Sequence, residues 1–348
     1  MARATIKSIA RKTGYSVGTV SNALRDAPSV KQETRDEIHK AATALGYRVN
    51  LDGLKLRTNK SYRIAVLVSV SEDAAEEWEG VEFTRILAGV SKAVQGSRYQ
   101  LSVFSISDGD AALETLRSIV QEGLADGVIF SGTRVNDPRI AYLQVEGFPF
   151  VTYGMSDSDQ PHAYVDLDSQ TAALEATARL IRLGHRRIAL INPPDDLIYA
   201  QQRRQGYADA LSEGGLSFDP ALIATGPTTA KTGQLAFTAL MQSPNPPSAI
   251  ICANEAMTLG ALSAAAKTGV KVGQDVVAIS NDDLKLSQYF VPPPSTYYLP
   301  IGETSRLLGE FMLKALGGAD PKEIQKKIRA TLIERQPDTP ASGRARIT

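Results

Sequence analysis

The strongest constraint on the fold is an alternation that begins at Ser61. Short, β-rich apolar runs recur at 63–68 (RIAVLV), 101–106 (LSVFSI), 127–131 (GVIFS), 149–153 (PFVTY), 187–191 (RIALI), 249–253 (AIICA) and 276–280 (VVAIS). Between most of them lie helical stretches, at 81–95, 111–122, 169–183, 201–213 and 255–267. Strands that alternate with helices in this way predict parallel, doubly wound sheets with helices on both faces. So many strands exceed one comfortable sheet in such a chain, so an α/β body of two lobes with a cleft between them is expected. Ligands in such folds sit outside the carboxyl ends of the strands. That rule makes Ser69, Tyr153, Asn254 and Asp282 the candidate contacts.

The first sixty residues have a different texture. They hold 12 Lys/Arg against 5 Asp/Glu, although the whole chain carries 38 of each. A basic head on an acidic body suggests that the head alone meets a polyanion. A solvated basic arm would give the same count, so charge by itself decides nothing. The pattern within the head is more specific. Thr5 is placed to cap a helix over Ile6–Thr13, with Ile6, Ile9 and Ala10 on one face. Gly14 supplies a chain reversal, and Ser16 caps a second helix running to about Leu24, whose buried stripe is Val20, Ala23 and Leu24. A third helix follows from about Lys31 to Leu45, with Ile38, Ala41, Ala42 and Leu45 inward. Two helices joined by a short Gly turn make a helix-turn-helix, whose second helix enters the major groove of DNA.

That second helix, within "TGYSVGTVSNAL" (13–24), is unusually small and polar. A Gly in a helix interior costs roughly 0.5–1 kcal/mol relative to Ala. Close passage over base edges explains this cost, whereas an ordinary three-helix mini-domain leaves it without a reason. Thr19 and Ser21 suit phosphate contacts, Val17 a thymine methyl, Asn22 a bidentate pair with adenine, and Gly18 close approach.

The segment "TIKSIARKTGYSVGTVSNALRDAPSVKQETRDEIHKAATALGYRVN" resembles the DNA-binding head of the lactose-repressor (LacI/GalR) family of bacterial transcription regulators, with "VGTVSNAL", "VKQETRDEI" and "ALGY" in equivalent places. Along the body, "GHRRIALINPP", "RRQGYADAL", "ICANEAMTLGAL", "AISNDD" and "PPPSTYYLPIGETSRLL" are similar to stretches of the sugar- and purine-responsive members, whose cores are similar to periplasmic sugar-binding proteins. The resemblance covers essentially the full length. It implies an all-α helix-turn-helix head over 1–48, a hinge helix or linker over 49–60, an effector-binding and dimerisation domain over 61–340, and a tail over 341–348. The two lobes are expected at 61–162 plus 293–318, and at 163–292 plus 319–340.

Carried over residue by residue, the resemblance implies that Val17, Gly18 and Asn22 read bases, with Thr5, Ser16, Thr19 and Ser21 completing the DNA-contacting set. It makes Leu56 a wedge in the minor groove at the operator centre, with Lys55 and Arg57 beside phosphates; a linker leucine tucked against the body is the other reading. Gly53 and Asp52 depart from the usual hinge, since Gly lowers helix propensity by about 1 kcal/mol and Asp places an acid near phosphates. In the body, Arg203, three residues before Gly206, is the arginine that grips the effector, and Asn254 and Asp282 sit where relatives contact polyols. A carboxylate accepts from two sugar hydroxyls, an amide both donates and accepts, and a guanidinium donates as a planar fork. Arg203 in a structural ion pair and Asp282 as a cap for the next turn are the competing readings. Phe83 serves equally as a platform for a sugar face or as core, and Trp78 is better read as a surface anchor. The loop "SVSEDAAEEWEGVEF" is more acidic than in relatives, and its Glu79 and Glu82 are expected to face solvent rather than ligand. "STYYLPIGETS" is a few residues shorter than the usual crossover, so Tyr298 is only loosely placed at the site.

The function expected is that of a sequence-specific transcription regulator, a repressor. Two identical heads in a homodimer read the half-sites of a near-palindromic, double-stranded operator DNA. A small polar effector between the lobes, a carbohydrate by resemblance, controls that affinity; a nucleobase-like ligand or a partner protein is the alternative. Enzyme chemistry is disfavoured: GxGxxG, a P-loop, GxSxG and HExxH are all missing. Asp195/Asp196 and Asp282/Asp283 are sequence neighbours rather than opposed acid and base, and His185 reads as a helix end. No cofactor is expected, and three His and one Cys, Cys252, are too few and scattered for zinc. A chain without an apolar run of about 18 residues or an export leader is expected to have no membrane span and to be cytoplasmic. "PDTPASGRARIT" carries no leucine heptads, which argues against a tail-mediated tetramer.

Overall fold

The head is three helices, α1 (Ile6–Thr13), α2 (Val17–Ala23) and α3 (Gln32–Ala44). This is a computed structural model, and it describes residues 4–24, 27–47, 60–69, 80–106 and 110–335. The chain divides into two units, Met1–Ser61 and Tyr62–Thr348. At the start of α1, Thr5 Oγ1 accepts from the Ser8 amide (3.3 Å) while Ser8 Oγ accepts from the Thr5 amide (2.8 Å), a reciprocal capping box. Gly14 ends α1 with φ +76° and donates to the Ala10 carbonyl, a left-handed turn that any side chain would strain. Two residues on, Ser16 Oγ accepts from the Thr19 amide at 3.0 Å and starts α2. Ile9, Val20, Ala23, Val30, Ile38, Ala41 and Ala42 fill the small core, with Ile6, Ala10, Leu24 and Leu45 packed at its edge. The helical periodicity of the sequence therefore translates directly into packing.

The body contains two six-stranded sheets. The first uses β1 (Arg63–Ser69), β2 (Gln100–Ile106), β3 (Gly127–Ser131), β4 (Phe150–Tyr153), β5 (Ala163–Leu167) and β11 (Gln325–Ile328), all parallel, in the order β11-β5-β4-β3-β1-β2. The second uses β6 (Ile188–Asn192), β7 (Ile223–Thr225), β8 (Ala249–Cys252), β9 (Val277–Asp283), β10 (Ser295–Tyr298) and β12 (Thr331–Ile333), in the order β12-β10-β9-β8-β6-β7, with only β12 antiparallel. The helices are α4 (Gly80–Val94), α5 (Asp110–Gln121), α6 (Pro138–Val145), α7 (Ser169–Arg182), α8 (Ile198–Glu213), α9 (Ala230–Met241), α10 (Glu255–Thr268) and α11 (Ile301–Leu316). Each sheet has an apolar cluster on both faces, as parallel sheets require.

The lobe boundaries differ from those expected. Strand β5 (163–167) is hydrogen-bonded between β4 and β11, so it belongs to the first sheet. Strand β10 (295–298) pairs with β9 in the second sheet, whereas β11 (325–328) returns to the first. The chain therefore crosses between lobes near 167–168, 299–300 and 329–330, each time just after a strand ends. The hinge segment over 49–60 and the tail over 341–348 lie outside the described residues, except for Lys60.

Helix α8, which carries Arg203, is held tightly against α7. A Cβ at Gly206 would stand 2.0 Å from the Gln170 carbonyl oxygen, so only glycine permits this approach. Among the described residues, no helix is long and apolar enough to cross a membrane, and no cluster of His, Cys, Asp and Glu is placed to hold a metal.

Candidate functional site

The outer side of α2 is the head's candidate contact surface. Val17 is 47% exposed, a high value for a valine in so small a domain, and Ser16 and Gly18 are exposed beside it. Thr19, Ser21 and Asn22 are half-buried, while Val20 and Ala23 face the core. Thr5 and Ser16 are exposed, but each hydroxyl is already held in the cap of its own helix. Lys55, Leu56 and Arg57, with Asp52 and Gly53, lie outside the described residues.

In the body, the strand ends gather a polar group between the lobes. Arg203 is 1% exposed, in line along α8 with the core residues Tyr207 and Leu211. Its Nη2 donates to Asp282 Oδ2 at 3.2 Å, and its Nη1 donates to Asn192 Oδ1 at 3.3 Å. The Tyr199 ring lies 5.7 Å from the guanidinium carbon. Asp282 reaches this side of the sheet through backbone irregularity. The β9–β10 register shifts between Thr296 and Tyr298, and Asp282 itself adopts φ +51°. A bulge of this kind re-aims a side chain. Burial raises the Asp282 carboxyl above its ordinary range, Arg203 opposes that shift, and about a third of the side chain remains open at 36%.

Facing this group from the first lobe are Tyr153, Asp166 and Glu82. The Tyr153 hydroxyl is enclosed beside Glu82, and burial pushes it well above the usual phenol range, with the charges of Glu82, Asp282 and Asp166 adding to the shift. Asp166 is 2% exposed. Its Oδ1 accepts from the Met155 amide at 3.1 Å, and Lys327 Nζ stands 3.9 Å from Oδ2. Burial raises Asp166 to about 6, against the pull of Met155, Lys327 and Gln202, the last reaching over from α8. On one side the lobes are joined directly: Val135 N donates to Asp196 O (2.9 Å), Ile198 N donates to Thr133 O (3.0 Å), and Arg134 Nη1 meets Asp196 Oδ2 (2.8 Å).

Several buried polar atoms here make no close hydrogen bond: Arg203 Nε and both Oδ1 and Nδ2 of Asn281 have none, while Tyr153 Oη, Asp166 Oδ2 and Gln202 Oε1 have only the longer-range neighbours Glu82, Lys327 and each other's side chains. An unpaired buried polar group costs about 1–3 kcal/mol. Such a concentration between two lobes is the arrangement a polar ligand would complete.

The structure brings together Tyr153, Arg203 and Asp282 from the residues singled out in the sequence; the Asp282 carboxylate pairs with Arg203, which replaces the capping alternative for Asp282 and is itself the ion-pair alternative named for Arg203. Asn254 is different. It is the N-cap of α10: Oδ1 accepts from the Met257 amide at 2.8 Å and Nδ2 donates to the Thr228 carbonyl at 3.1 Å. A strand followed at once by a helix needs that cap, so its amide is largely engaged within the fold. Phe83 is half-buried in the first turn of α4, outside the core clusters. Ser69 ends β1 with its side chain outside the described residues, as are Trp78 and Glu79. Tyr298 stacks under Lys285 Nζ, 5.0 Å from its ring centre. Sequence reasoning missed Asn192, Gln202, Asn281 and Asp166. The signal for Asn192 was present, since a lone polar residue ends the run RIALIN.

Comparison with known proteins gives a consistent set of matches. Residues 5–50 match the bacterial regulatory proteins of the lacI family, and residues 63–298 match the periplasmic binding proteins and sugar binding domain of the LacI family. The HTH-type transcriptional regulator AglR of Rhizobium meliloti is 33% identical over 98% of this chain and 96% of its own. The HTH-type transcriptional repressor CytR of Escherichia coli is 31% identical over 90% of both. Among solved structures, a complex of the transcriptional regulator CelR with cellobiose superposes with a TM-score of 0.72 at 26% identity, covering 96% of this chain and 99% of that one.

Proposed function

The chain belongs to the LacI family of bacterial regulatory proteins, and from that premise we propose that it binds a near-palindromic operator as a homodimer under the control of a carbohydrate held between its lobes. As a member of that family it is a DNA-binding transcription regulator, and its curated relatives are regulators rather than enzymes. The finer reading assigns Val17, Gly18 and Asn22 to base edges, with Thr19 and Ser21 at the backbone and Leu56 at the operator centre. Thr5 and Ser16 serve the same surface by fixing the starts of α1 and α2.

One observation carries the effector reading. Arg203, paired with Asp282 and surrounded by unpartnered polar atoms, sits where the two lobes meet. A guanidinium fork, a carboxylate and amides together match the donor and acceptor hydroxyls of a sugar. A relative that superposes over nearly its whole length, CelR, is solved in complex with cellobiose, which favours a saccharide here. Ligand bound to both lobes would favour one lobe arrangement over another. It alters operator affinity only through its differential affinity for the two arrangements.

The test is a pair of measurements on the full-length chain. Thermal melting against neutral saccharides comes first; a ligand at 100 times its Kd adds about 2.7 kcal/mol. Operator duplexes obtained by in vitro selection are then titrated with and without each saccharide that binds. The expected result is a change in operator affinity of roughly 5- to 150-fold. A saccharide that binds but leaves operator affinity unchanged removes the control step. A chain that melts identically with every saccharide removes the carbohydrate, and transfers the case to a nucleobase-like ligand or a partner protein.

A further inference from the structure

We infer that Asn281 reads the effector, and that it selects an uncharged saccharide through one of its vicinal diols. The inference rests on the carbohydrate reading above and narrows it. Asn281 is 1% exposed, and neither its Oδ1 nor its Nδ2 has a hydrogen-bond partner. Strand alternation places it on the side of β9 that carries Val277 and Ile279, which pack against the α8 residues Tyr207 and Leu211. The intervening Ser280 is tied to the other side, where Thr258 of α10 donates to its hydroxyl at 2.8 Å. Ile191, Cys252 and Ser280 are in register across β6, β8 and β9. One residue further along, Asn192 reaches α8, where its Nδ2 donates to the Ala200 carbonyl at 2.9 Å, and alternation sets Asn281 on that same side two strands away. Arg203 enters that space from α8, already bound to Asn192 and to Asp282, with its Nε unpartnered.

The chemistry of this corner defines what fits it. A primary amide offers an acceptor oxygen and two N–H donors side by side. One hydroxyl of a vicinal diol donates to Oδ1 while its neighbour accepts from Nδ2, and Arg203 Nε donates to the next oxygen. A leucine of similar volume would fill the same space without leaving two polar atoms unpaired, so the amide is out of place in the ligand-free fold and in place beside a polyol. Charge narrows the choice further. Both Nη atoms of the buried guanidinium are engaged, so no free fork awaits an anion. The carboxylates of Glu82, Asp166 and Asp282 surround Tyr153; against them stand Arg203, the half-exposed Lys327 beside Asp166, and Lys285 over Tyr298. A uronate or sugar phosphate would meet three acids and no uncommitted guanidinium.

The experiment uses the full-length chain and matched probes. Glucose, galactose, maltose, cellobiose, sucrose and raffinose form the neutral set. Glucuronate, galacturonate and glucose 6-phosphate form the anionic set, and adenosine and cytidine are included as nucleosides. Thermal melting finds the ligand, and calorimetric titration measures its Kd in the wild type, Asn281→Leu and Asn281→Ser. The expected result is a neutral saccharide whose Kd rises at least tenfold in Asn281→Leu, while the ligand-free Tm of that variant equals or exceeds the wild type. Asn281→Ser carries the same Kd comparison with no added bulk in the strand. A purely structural amide gives the opposite pattern, a lowered ligand-free Tm with Kd unchanged, and overturns the inference. So does an anionic sugar as the preferred ligand, although the carbohydrate reading then stands. A nucleoside as the sole ligand, or no ligand in any set, fails the carbohydrate reading itself and takes this inference with it.

Discussion

Helix α2 and the interlobe corner around Arg203, the two proposed recognition surfaces, are built in opposite ways. In α2 the candidate contacts lie within Val17–Asn22, on one short helix started by its own cap, with Val17 and Gly18 exposed and Thr19, Ser21 and Asn22 half-buried. Around Arg203 the contacts come from β6, α8 and β9, with Arg203 and Asp282 separated by 79 residues, and the chain buries them. On the proposed reading, the first surface is completed by a rigid partner that brings its own shape. The second is held open-handed by the fold, with polar atoms left unpaired. A local site tolerates small changes with small consequences, while an assembled and buried one is coupled to the stability of the domain around it.

The most severe way to break that coupling is at the ion pair. Replacing Asp282 by Ala leaves the Arg203 guanidinium buried and uncompensated, and should destabilise the body by about 3–5 kcal/mol. Arg203→Met should cost less, because Asp282 retains contact with water at 36% exposure. Urea melts followed by circular dichroism order the two variants. Equal losses would mean that Arg203 gains little from Asp282. Both variants should also lose the response of operator binding to ligand.

Asp166 gives a milder test with a distinct pH signature. Its folded carboxyl is raised to about 6 from an ordinary 3.8. The folded state therefore holds the proton more tightly, and this contribution is full below about 3.8 and is lost as pH rises through 6. The gap corresponds to something on the order of 3 kcal/mol by pH 8. Asp166→Asn should then be more stable than the wild type at pH 8, with the difference closing towards pH 4. His162 acts in the reverse sense, since burial lowers it to about 4 and acid favours its unfolded, protonated form. It is common to both proteins, so the difference between their melts isolates Asp166. A difference independent of pH would show that the carboxylate is not strained by burial.

The same contrast explains how much of the molecule was legible in its sequence. The head was readable almost residue by residue, because caps at Thr5 and Ser16, the Gly14 turn and the apolar spacing all act within a few residues. Most strands of the body were readable from their apolar runs. Strand β11, QKKI, was not, being an edge strand whose single apolar residue, Ile328, packs into the core, and β5 is interrupted by the buried Asp166. Those two strands, together with β10, account for the displaced lobe boundaries. At the site, Asp282 came first from the rule of strand ends and Arg203 from the family resemblance, yet the register shift that brings them together depends on β10 and leaves no local trace. Asn281 escaped because it occupies a strand position where an apolar residue is the ordinary expectation.

Two substitutions in α2 sharpen the other half of the comparison. Asn22→Ala should relax base preference by about 1–3 kcal/mol at one position per half-site, read by binding to a set of operator variants. Unchanged preference would remove Asn22 from the reading set. Gly18→Ala has the smallest effect and separates two reasons for one residue. A Cβ at position 18 would meet only Ser16 Oγ, at 3.7 Å, which is ordinary contact, and the helix backbone there needs no glycine. Alanine should therefore stabilise α2 by roughly 0.5–1 kcal/mol, seen as a higher melting temperature of the head transition. If Gly18 is present so that the helix can lie close to base edges, operator affinity must fall in the same variant. A protein that gains stability and loses DNA ties the glycine to recognition. One that gains both would leave this helix position without a part in binding, and would confine the reading set to Val17 and Asn22.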